Sequence, residues 1–405
     1  MTNLMTNGWR HPAHGVSFEA LMDGLAQEKS AGNVSVQMDG PLALFRYTDQ
    51  CAYDRAWTMY SKIARGLIVD TAEQRIVATP FPKFFNYGEG EGKGQAMPSL
   101  PDEPFDVTEK MDGSLGIVFF HDGRWRVATR GSFKSAQAEW AQAYLRANVV
   151  QSFLTKGHTY LVEIIYRENR IVIPYANERL VLLSAYDSEG FEYDRRELET
   201  ISRFTNLELV QSVTGSRIED LLAVAKTLES NREGFVVRFA SGRRIKIKGD
   251  EYCRVHKLIS GVTPLAVWEL MMVSGDKAIA AYANELPEEF KTDIETIARI
   301  MSERFEAFVH GVVSAAFAVR GMSDKDLGLV IHGKAEASSA EIASIPKEQL
   351  MWVFAERKSQ LSVNARKTGH PLRRKVFEQF RPTANYLAGY APSTAINRFN
   401  QEQSA

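Results

Sequence analysis

Lys110 is the residue around which a reaction could be built. It opens the run Lys110-Met111-Asp112-Gly113-Ser114-Leu115-Gly116, between an acidic, proline-containing stretch and an apolar one. Asp-Gly suits a tight turn, because Asp bonds to nearby backbone and Gly tolerates positive φ, so the lysine is expected at a sheet edge, pointing into a cleft. A lysine before a turn is also an ordinary surface feature, and its chemistry depends on companions. Glu233-Gly234-Phe235-Val236-Val237-Arg238-Phe239, Ser241-Gly242 and Arg244-Ile245-Lys246-Ile247-Lys248 read as a hairpin. Alternation then sets Lys246 and Lys248 on one face, roughly 6 to 7 Å apart, with Ile245 and Ile247 on the other. Two ammonium groups near an amine nucleophile would prime it; the plainer reading is the solvated face of an amphipathic strand. Tyr160-Leu161-Val162-Glu163-Ile164-Ile165-Tyr166 places one carboxylate in an apolar strand, where Glu is seldom buried unless ligated or paired, for instance to Arg167 or Arg170.

Positioning these residues requires a sheet. From about Pro41 to His256 the chain runs in short β-branched and aromatic segments separated by Gly, Pro, Asp and Asn, the pattern of an antiparallel protein with few helices. Strands are expected at 67–69, 115–120, 125–129, 161–166, 180–185, 235–239 and 244–248. One helix, Ser135 to Asn148, interrupts them, with Ala136, Trp140, Ala143 and Tyr144 near one face. Beyond His256 helical spacing takes over, at Leu265 to Met272, Phe290 to Arg320 and Glu348 to Leu361. The fold class is therefore α+β, an antiparallel-sheet domain over 1–256 followed by an all-helical domain over 257–405. Ser338 to Pro346 reads as a loop or cap, and Gln401 to Ala405 as a frayed end.

Composition bounds the partners. A chain of 405 residues favours two domains, and 44% hydrophobic with 24% charged residues is ordinary for a soluble protein. A formal net charge of -1 excludes a wholesale basic nucleic-acid binder, so such contacts must come from local patches. One patch exists: Arg357, Lys358, Arg366, Lys367, Arg373, Arg374, Lys375 and Arg381 stand against the single acid Glu378 between 357 and 381. Arg373, Arg374 and Lys375 are its candidate nucleic-acid contacts, with a solvated helical face or an interdomain contact as the alternative. Two cysteines, Cys51 and Cys253, are too few for a disulfide framework or a cysteine-rich zinc site and fit a reducing, cytoplasmic setting. The first residues lack the order of a signal peptide, and the longest apolar stretch, Phe308 to Val319, is broken by His310, Gly311 and Ser314, so no membrane span is expected. Gly88-Glu-Gly-Glu-Gly-Lys-Gly94 fails the phosphate-loop spacing, and its two acids would repel phosphate; it reads as a flexible loop. The eight histidines form no recognisable metal cluster.

Taken together, the motifs resemble the covalent nucleotidyltransferases, the superfamily of DNA ligases, RNA ligases and mRNA capping enzymes. Lys110-Met-Asp-Gly looks like their nucleophile motif, followed in order by Glu163, Glu233-Gly234 and Lys246-x-Lys248, with Arg65-Gly66 upstream. Phe45-Arg46-Tyr47, Arg65-Gly-Leu-Ile, Lys83-Phe-Phe-Asn86, Gly131-Ser-Phe-Lys134-Ser135, Asn169-Arg170-Ile-Val and Lys246-Ile-Lys248-x-Asp250-x-Tyr252 resemble the phage-type, tRNA-repairing ATP-dependent RNA ligases over roughly residues 40 to 260. Arg130 stands where those ligases often carry lysine, and little matches beyond about residue 285.

The resemblance implies attack of Lys110 on ATP, transfer of AMP to an RNA 5′-phosphate, and displacement of AMP by a 3′-hydroxyl. It also implies that Glu163 binds ribose, that Glu233 positions Mg²⁺ (or Mn²⁺) and Lys110, and that Tyr47, Arg65, Lys83 and Arg130 contact ATP beside Lys246 and Lys248. The implied partners are RNA with 5′-phosphate and 3′-hydroxyl ends, such as a cleaved tRNA, and a kinase/phosphatase that heals them. An unperturbed lysine has a pKa of ~10.4, and lowering it by ~3 units takes about 4 kcal/mol, which neighbouring cations and desolvation can supply. Lys246, Lys248 and a metal are the expected source, and they also suit charge developing on phosphate. A DNA ligase or capping enzyme would carry a β-barrel where this chain reads helical. A non-catalytic RNA-binding protein need not keep Lys110, Glu233, Lys246 and Lys248 together.

Overall fold

Period-two burial along β-strands builds the first part of the molecule. The structure is a computed structural model that describes residues 9–214, 217–336, 339–383 and 386–393. It forms two compact units, Met1–Arg254 and Val255–Ala405. The first holds three sheets. One is β1 (Val34–Asp39), β2 (Leu42–Tyr47), β3 (Arg65–Asp70) and β4 (Arg75–Ala78) in sequential antiparallel order. β5 (Phe85–Asn86) and β6 (Phe105–Glu109) edge a second sheet around β12 (Gly234–Phe239) and β13 (Arg244–Lys248). The third, ordered β11-β10-β9-β7-β8, contains β7 (Ser114–His121), β8 (Arg124–Thr129), β9 (Thr159–Ile165), β10 (Arg179–Tyr186) and β11 (Glu208–Leu209).

The third sheet is buried on both faces, so all seven residues of β9 are buried. Tyr160, Val162 and Ile164 pack under α4 (Ala136–Asn148) and α5 (Arg195–Thr205), while Leu161 joins Ile117, Phe119, Leu42, Leu44 and Ile68 between this sheet and the first. Glu163 shares the Leu161 side of the strand, because side chains alternate. In the β12–β13 hairpin Phe235, Val237, Ile245 and Ile247 pack on α6 (Ile218–Ala225) and turn Lys246 and Lys248 to the opposite face.

The sequence reading needs correction in several places. Between 41 and 256 the chain has more than one helix, since α2 (Asp49–Asp54), α3 (Met59–Ile63), α5 and α6 stand beside α4. These are short or carry a narrow apolar stripe, which alternation-based reading absorbs into loops. Two strand pairs, β10–β11 and β5–β13, are parallel. In α4 the buried face is Ala138, Ala141 and Leu145; Ala136 and Ala143 are exposed, while Trp140 and Tyr144 are half-buried.

The second unit is helical among its described residues. α7 (Asp250–Ser260) begins in the first unit, and α8 (Pro264–Ser274), α9 (Asp276–Glu285), α10 (Lys291–Ala318), α11 (Asp324–Ile331), α12 (Ala340–Ala343), α13 (Lys347–Ser359), α14 (Leu361–Asn364) and α15 (Pro371–Phe377) follow. Its core includes Ala315, Val319, Leu327, Ile331, Leu350 and Val353. α12 replaces part of the loop expected over 338–346, Ser338 itself and the expected frayed end 401–405 lying outside the described residues. No described helix is long and apolar enough to cross a membrane.

Candidate active site

β6 delivers Lys110 by its pairing with β12: Glu109 faces Phe235, and the Lys110 amide donates to the Gly234 carbonyl at 2.8 Å. The next residue back on β12's side is Glu233, whose carboxylate bridges two lysines. Lys110 Nζ donates to Glu233 Oε2 at 2.7 Å, and Lys248 Nζ lies 2.9 Å from Oε1. Lys248 reaches it because it sits opposite Gly234 in the hairpin.

The turn after Lys110 differs from the expected one. Asp112 is buried and bonds across the fold: its Oδ2 accepts from the amides of Val172 and Ile173 at 2.9 and 2.8 Å, and its Oδ1 accepts from the Tyr252 hydroxyl at 2.7 Å. Its own amide donates to the Tyr175 hydroxyl at 2.9 Å. Gly113 is absent from the positive-φ residues; glycine is required there because a Cβ would meet the Ile164 carbonyl oxygen at 2.6 Å and Glu163 Cγ at 3.0 Å. Asn169 ties the same turn to β9, accepting from the Ser114 hydroxyl at 3.0 Å and donating to the Ile164 carbonyl at 2.8 Å. Asn169 and Tyr252 were quoted for their place in motifs, but sequence gave them no role, since their partners lie 55 and 140 residues away.

Glu163 lies opposite Leu115 across the β7–β9 pairing and forms no ion pair with Arg167 or Arg170. Burial pushes its carboxyl up to about 8, against the pull of Lys110 and with the push of Glu233 and Asp112. Lys110 moves opposite to expectation. Burial favours its neutral form, but Glu233 and Glu163 outweigh burial and hold the ammonium above its usual value. Lys110 is therefore held protonated on Glu233.

Lys246 is the lysine that is primed. Burial, followed by the fields of Lys83, Arg65, Lys110 and Lys248, drops its pKa to about 6. Among the described residues its side chain finds neither ion pair nor hydrogen bond, and Nζ stands 5.2 Å from the Phe84 ring centroid. Arg65 is close by, its Nη1 buried without a hydrogen-bond partner and its guanidinium 5.4 Å from the same ring. Lys83 lies 4.8 Å from Phe85 and 5.5 Å from Trp57, and Arg130 donates to the Tyr47 hydroxyl at 3.0 Å. Burial would raise the Tyr47 phenol, but Arg130, Arg65 and Lys83 pull it below its ordinary value. Trp57, which sequence did not flag, packs edge-on between Tyr47 and Phe85.

A cavity of about 290 Å³ lies between the β7–β11 sheet and the β5–β13 sheet, lined by Lys110, Glu163, Arg65 and Lys246 together with Leu183, Val210 and Val236. Its lining holds another cluster missed in the sequence: buried Glu192 accepts from Ser184 Oγ at 2.5 Å, Arg238 Nε at 2.9 Å and the Arg244 guanidinium. A cavity with both apolar and cationic lining suits a nucleotide, whose base and phosphates need one of each. Among the described residues Glu233 supplies a hard oxygen donor, too little for a protein cage but fitting Mg²⁺, which keeps waters and phosphate oxygens.

The C-terminal candidates divide. Arg373 is buried, donating from Nε and Nη2 to the Met271 carbonyl at 3.0 and 2.8 Å and lying over Phe305 and Phe377. It packs the helical unit and is withdrawn as an RNA contact. Arg374 and Lys375 are exposed.

Residues 63–252 match the family model described as RNA ligase. A protein of Thermovibrio ammonificans, named provisionally as an RNA ligase, is 30% identical over 202 residues, covering 47% of this chain and 52% of that one. A protein of Autographa californica nuclear polyhedrosis virus, named provisionally as a bifunctional polynucleotide kinase/RNA ligase, is 27% identical over 216 residues, 48% of this chain and 30% of its own. The chain thus spans about half the length of the first and under a third of the second. Among solved structures, an RNA ligase variant of Naegleria gruberi with ATP and Mn is 22% identical, covering 38% of this chain and 52% of that chain with a TM-score of 0.32. The family match over residues 63–252 thus contains the cleft at which Lys110, Glu163, Glu233, Lys246 and Lys248 gather.

Proposed function

We propose that the chain is an ATP-dependent RNA ligase that seals 5′-phosphate and 3′-hydroxyl ends through a lysyl-AMP on Lys110. The observation that carries this reading is the division of charge at the cleft: Lys110 rests on Glu233, while among the described residues Arg65, Lys83 and Lys246 beside it have no carboxylate partner. Arg65 and Lys83, with Lys246 largely neutral near pH 7 until a bound anion raises its pKa, call for an anion of several charges, and a triphosphate supplies it. Nζ of Lys110 would bond to the α-phosphorus as the bond to pyrophosphate breaks, with Lys246, Arg65 and Lys83 stabilising the departing charge. Glu163, largely protonated at neutral pH, can donate to a ribose hydroxyl. Glu233 would hold Mg²⁺ or Mn²⁺, which supplies positive charge that favours the neutral form of Lys110.

In this reading the first unit adenylylates itself, and the helical unit docks RNA, with Arg374 and Lys375 as contacts. Cleaved tRNA is a fitting substrate, and the kinase/ligase name of the viral relative suggests an end-healing partner. Two free cysteines suit a cytoplasmic setting. The test is incubation with α-labelled ATP and Mg²⁺, denaturing electrophoresis, and a chase with 5′-phosphorylated RNA or DNA. One AMP per chain, absent in Lys110→Ala and Lys110→Arg and discharged by RNA, is expected. An undiminished adduct in Lys110→Ala overturns the reading, and discharge by DNA alone replaces RNA with DNA.

A further inference from the structure

The glycine-rich loop 88–94 is bound to the cleft's cationic edge. Arg55 donates to the Gly90 carbonyl at 2.7 Å and pairs with Glu89 at 3.0 Å; Lys62 pairs with Glu91 at 2.5 Å. Both pairs are half-buried, with side-chain exposures of 34% and 27% for the first and 29% and 37% for the second, so they are screened less than surface pairs. Arg55 itself adopts φ +53, a left-handed conformation uncommon outside glycine, and in it the side chain meets the loop.

Both ends of this arrangement are fastened to the cleft's lysines. The Lys83 amide donates to the Lys62 carbonyl at 2.8 Å, and the Tyr87 amide donates to the Lys246 carbonyl at 2.7 Å. The loop's glycines fit a segment folded tightly on itself: Gly88 and Gly94 have positive φ, and a Cβ at Gly90 would overlap the Gln95 carbonyl oxygen. A cavity of about 260 Å³ is bordered by Lys62, Lys83, Asn86, Glu89 and Glu91. Two carboxylates on a glycine-rich segment thus stand against two cations, next to a chamber whose other cations have no anion.

We propose that Arg55 and Lys62 form an additional phosphate-binding site, held by Glu89 and Glu91 and released by them when phosphate enters. The carboxylates keep the two cations charged, oriented and compensated, and exchange of a carboxylate for a phosphate conserves the ion pairing while freeing the loop. The ligand is a phosphate group, either the terminal phosphates of a nucleoside triphosphate or a backbone phosphate of RNA. The inference deepens the ligase reading and rests on its assignment of the neighbouring chamber to phosphate.

The test measures binding of inorganic pyrophosphate and of a 5′-phosphorylated oligoribonucleotide to the full chain at two salt concentrations. Glu89→Gln/Glu91→Gln should bind about ten-fold tighter than wild type at low salt, and Arg55→Ala/Lys62→Ala correspondingly weaker. Opposite signs are the signature, since a purely structural latch would be loosened by either variant and move both affinities the same way. Neutralising Glu73, which pairs with Arg75 elsewhere on the surface, controls for the general field and should change affinity by less than about two-fold. Tightening for pyrophosphate alone assigns the site to the triphosphate, and for the oligonucleotide alone to RNA. Equal affinities in wild type and Glu89→Gln/Glu91→Gln, or weakening in both double variants, overturn the proposal. Wild-type self-adenylylation is measured alongside: an adduct without the affinity shifts sinks only this site, and no adduct sinks the ligase reading independently.

Discussion

Two concentrations of positive charge invite the same interpretation in the sequence, and the fold treats them in opposite ways. Around the cleft, Arg65, Lys83 and Lys246 are brought together from three strands or their margins and have no carboxylate partner among the described residues. In the 357–381 strip four of the eight cations already have partners: Arg357 pairs with Asp324 at 2.8 Å, Arg366 with Glu306 at 2.5 Å, Lys367 with Asn364 at 2.7 Å, and Arg373 with a backbone carbonyl. Burial without compensation costs stability, and a protein that tolerates it keeps the charge for a ligand. Density of Lys and Arg along the chain does not separate the two cases; the counter-ions do.

The largest expected effect breaks the comparison at its cationic end. Lys246→Met should slow self-adenylylation by about 10²-fold or more, because an electrostatic donor is removed where phosphate charge develops. It should also raise thermal stability. With the folded pKa depressed to about 6 from 10.5, the folded chain binds fewer protons than the unfolded chain between those values, so the cost is full below pH 6 and gone above 10.5. The gain in Tm should be greatest near pH 6 and fade towards pH 10; a loss of stability at pH 6 would mean that Lys246 is compensated after all.

The next sharpens the contrast within the strip. Arg373→Ala should destabilise the protein by about 1.5–3 kcal/mol, the range for hydrogen bonds made by a charged group, with no specific change in salt dependence of RNA binding. Arg374→Ala/Lys375→Ala should leave Tm unchanged, weaken RNA several-fold and flatten the salt slope by about two. Denaturant unfolding and RNA titrations over salt separate the pair, and the reverse assignment would undo the division drawn here.

The smallest effect concerns Glu163. Its folded pKa of about 8, raised from 4.5 chiefly by burial, means that the folded chain holds an extra proton between those values and loses stability as pH rises through them. Glu163→Gln should raise Tm modestly above pH 8 and not at all below pH 4.5, while weakening ATP binding. A Tm difference independent of pH would place the carboxylate in solvent.

Local sequence determined strands β3, β7–β10, β12 and β13, the hairpin and the reactive inventory, but not β1, β2, β4, β5, β6 or β11. Alternation from Gly234 to Lys248 forces Lys246 and Lys248 to one face once Ile245 and Ile247 are buried, and this follows from strand geometry alone. Helical spacing likewise marks α8, α10 and α13. Sequence could not decide who neutralises whom. Glu233 bridging Lys110 and Lys248, Asp112 reaching Tyr252 and the 172–173 amides, and Arg373 ending on Met271 are contacts between residues that are distant along the chain. Protonation follows from such contacts, because Coulomb energy and desolvation depend on distance and burial, which no spacing encodes. Residue types therefore nominated Lys110 as the nucleophile, but tertiary structure alone decided that Glu233 and Glu163 hold it charged while Lys246 and Lys83 are the depressed lysines.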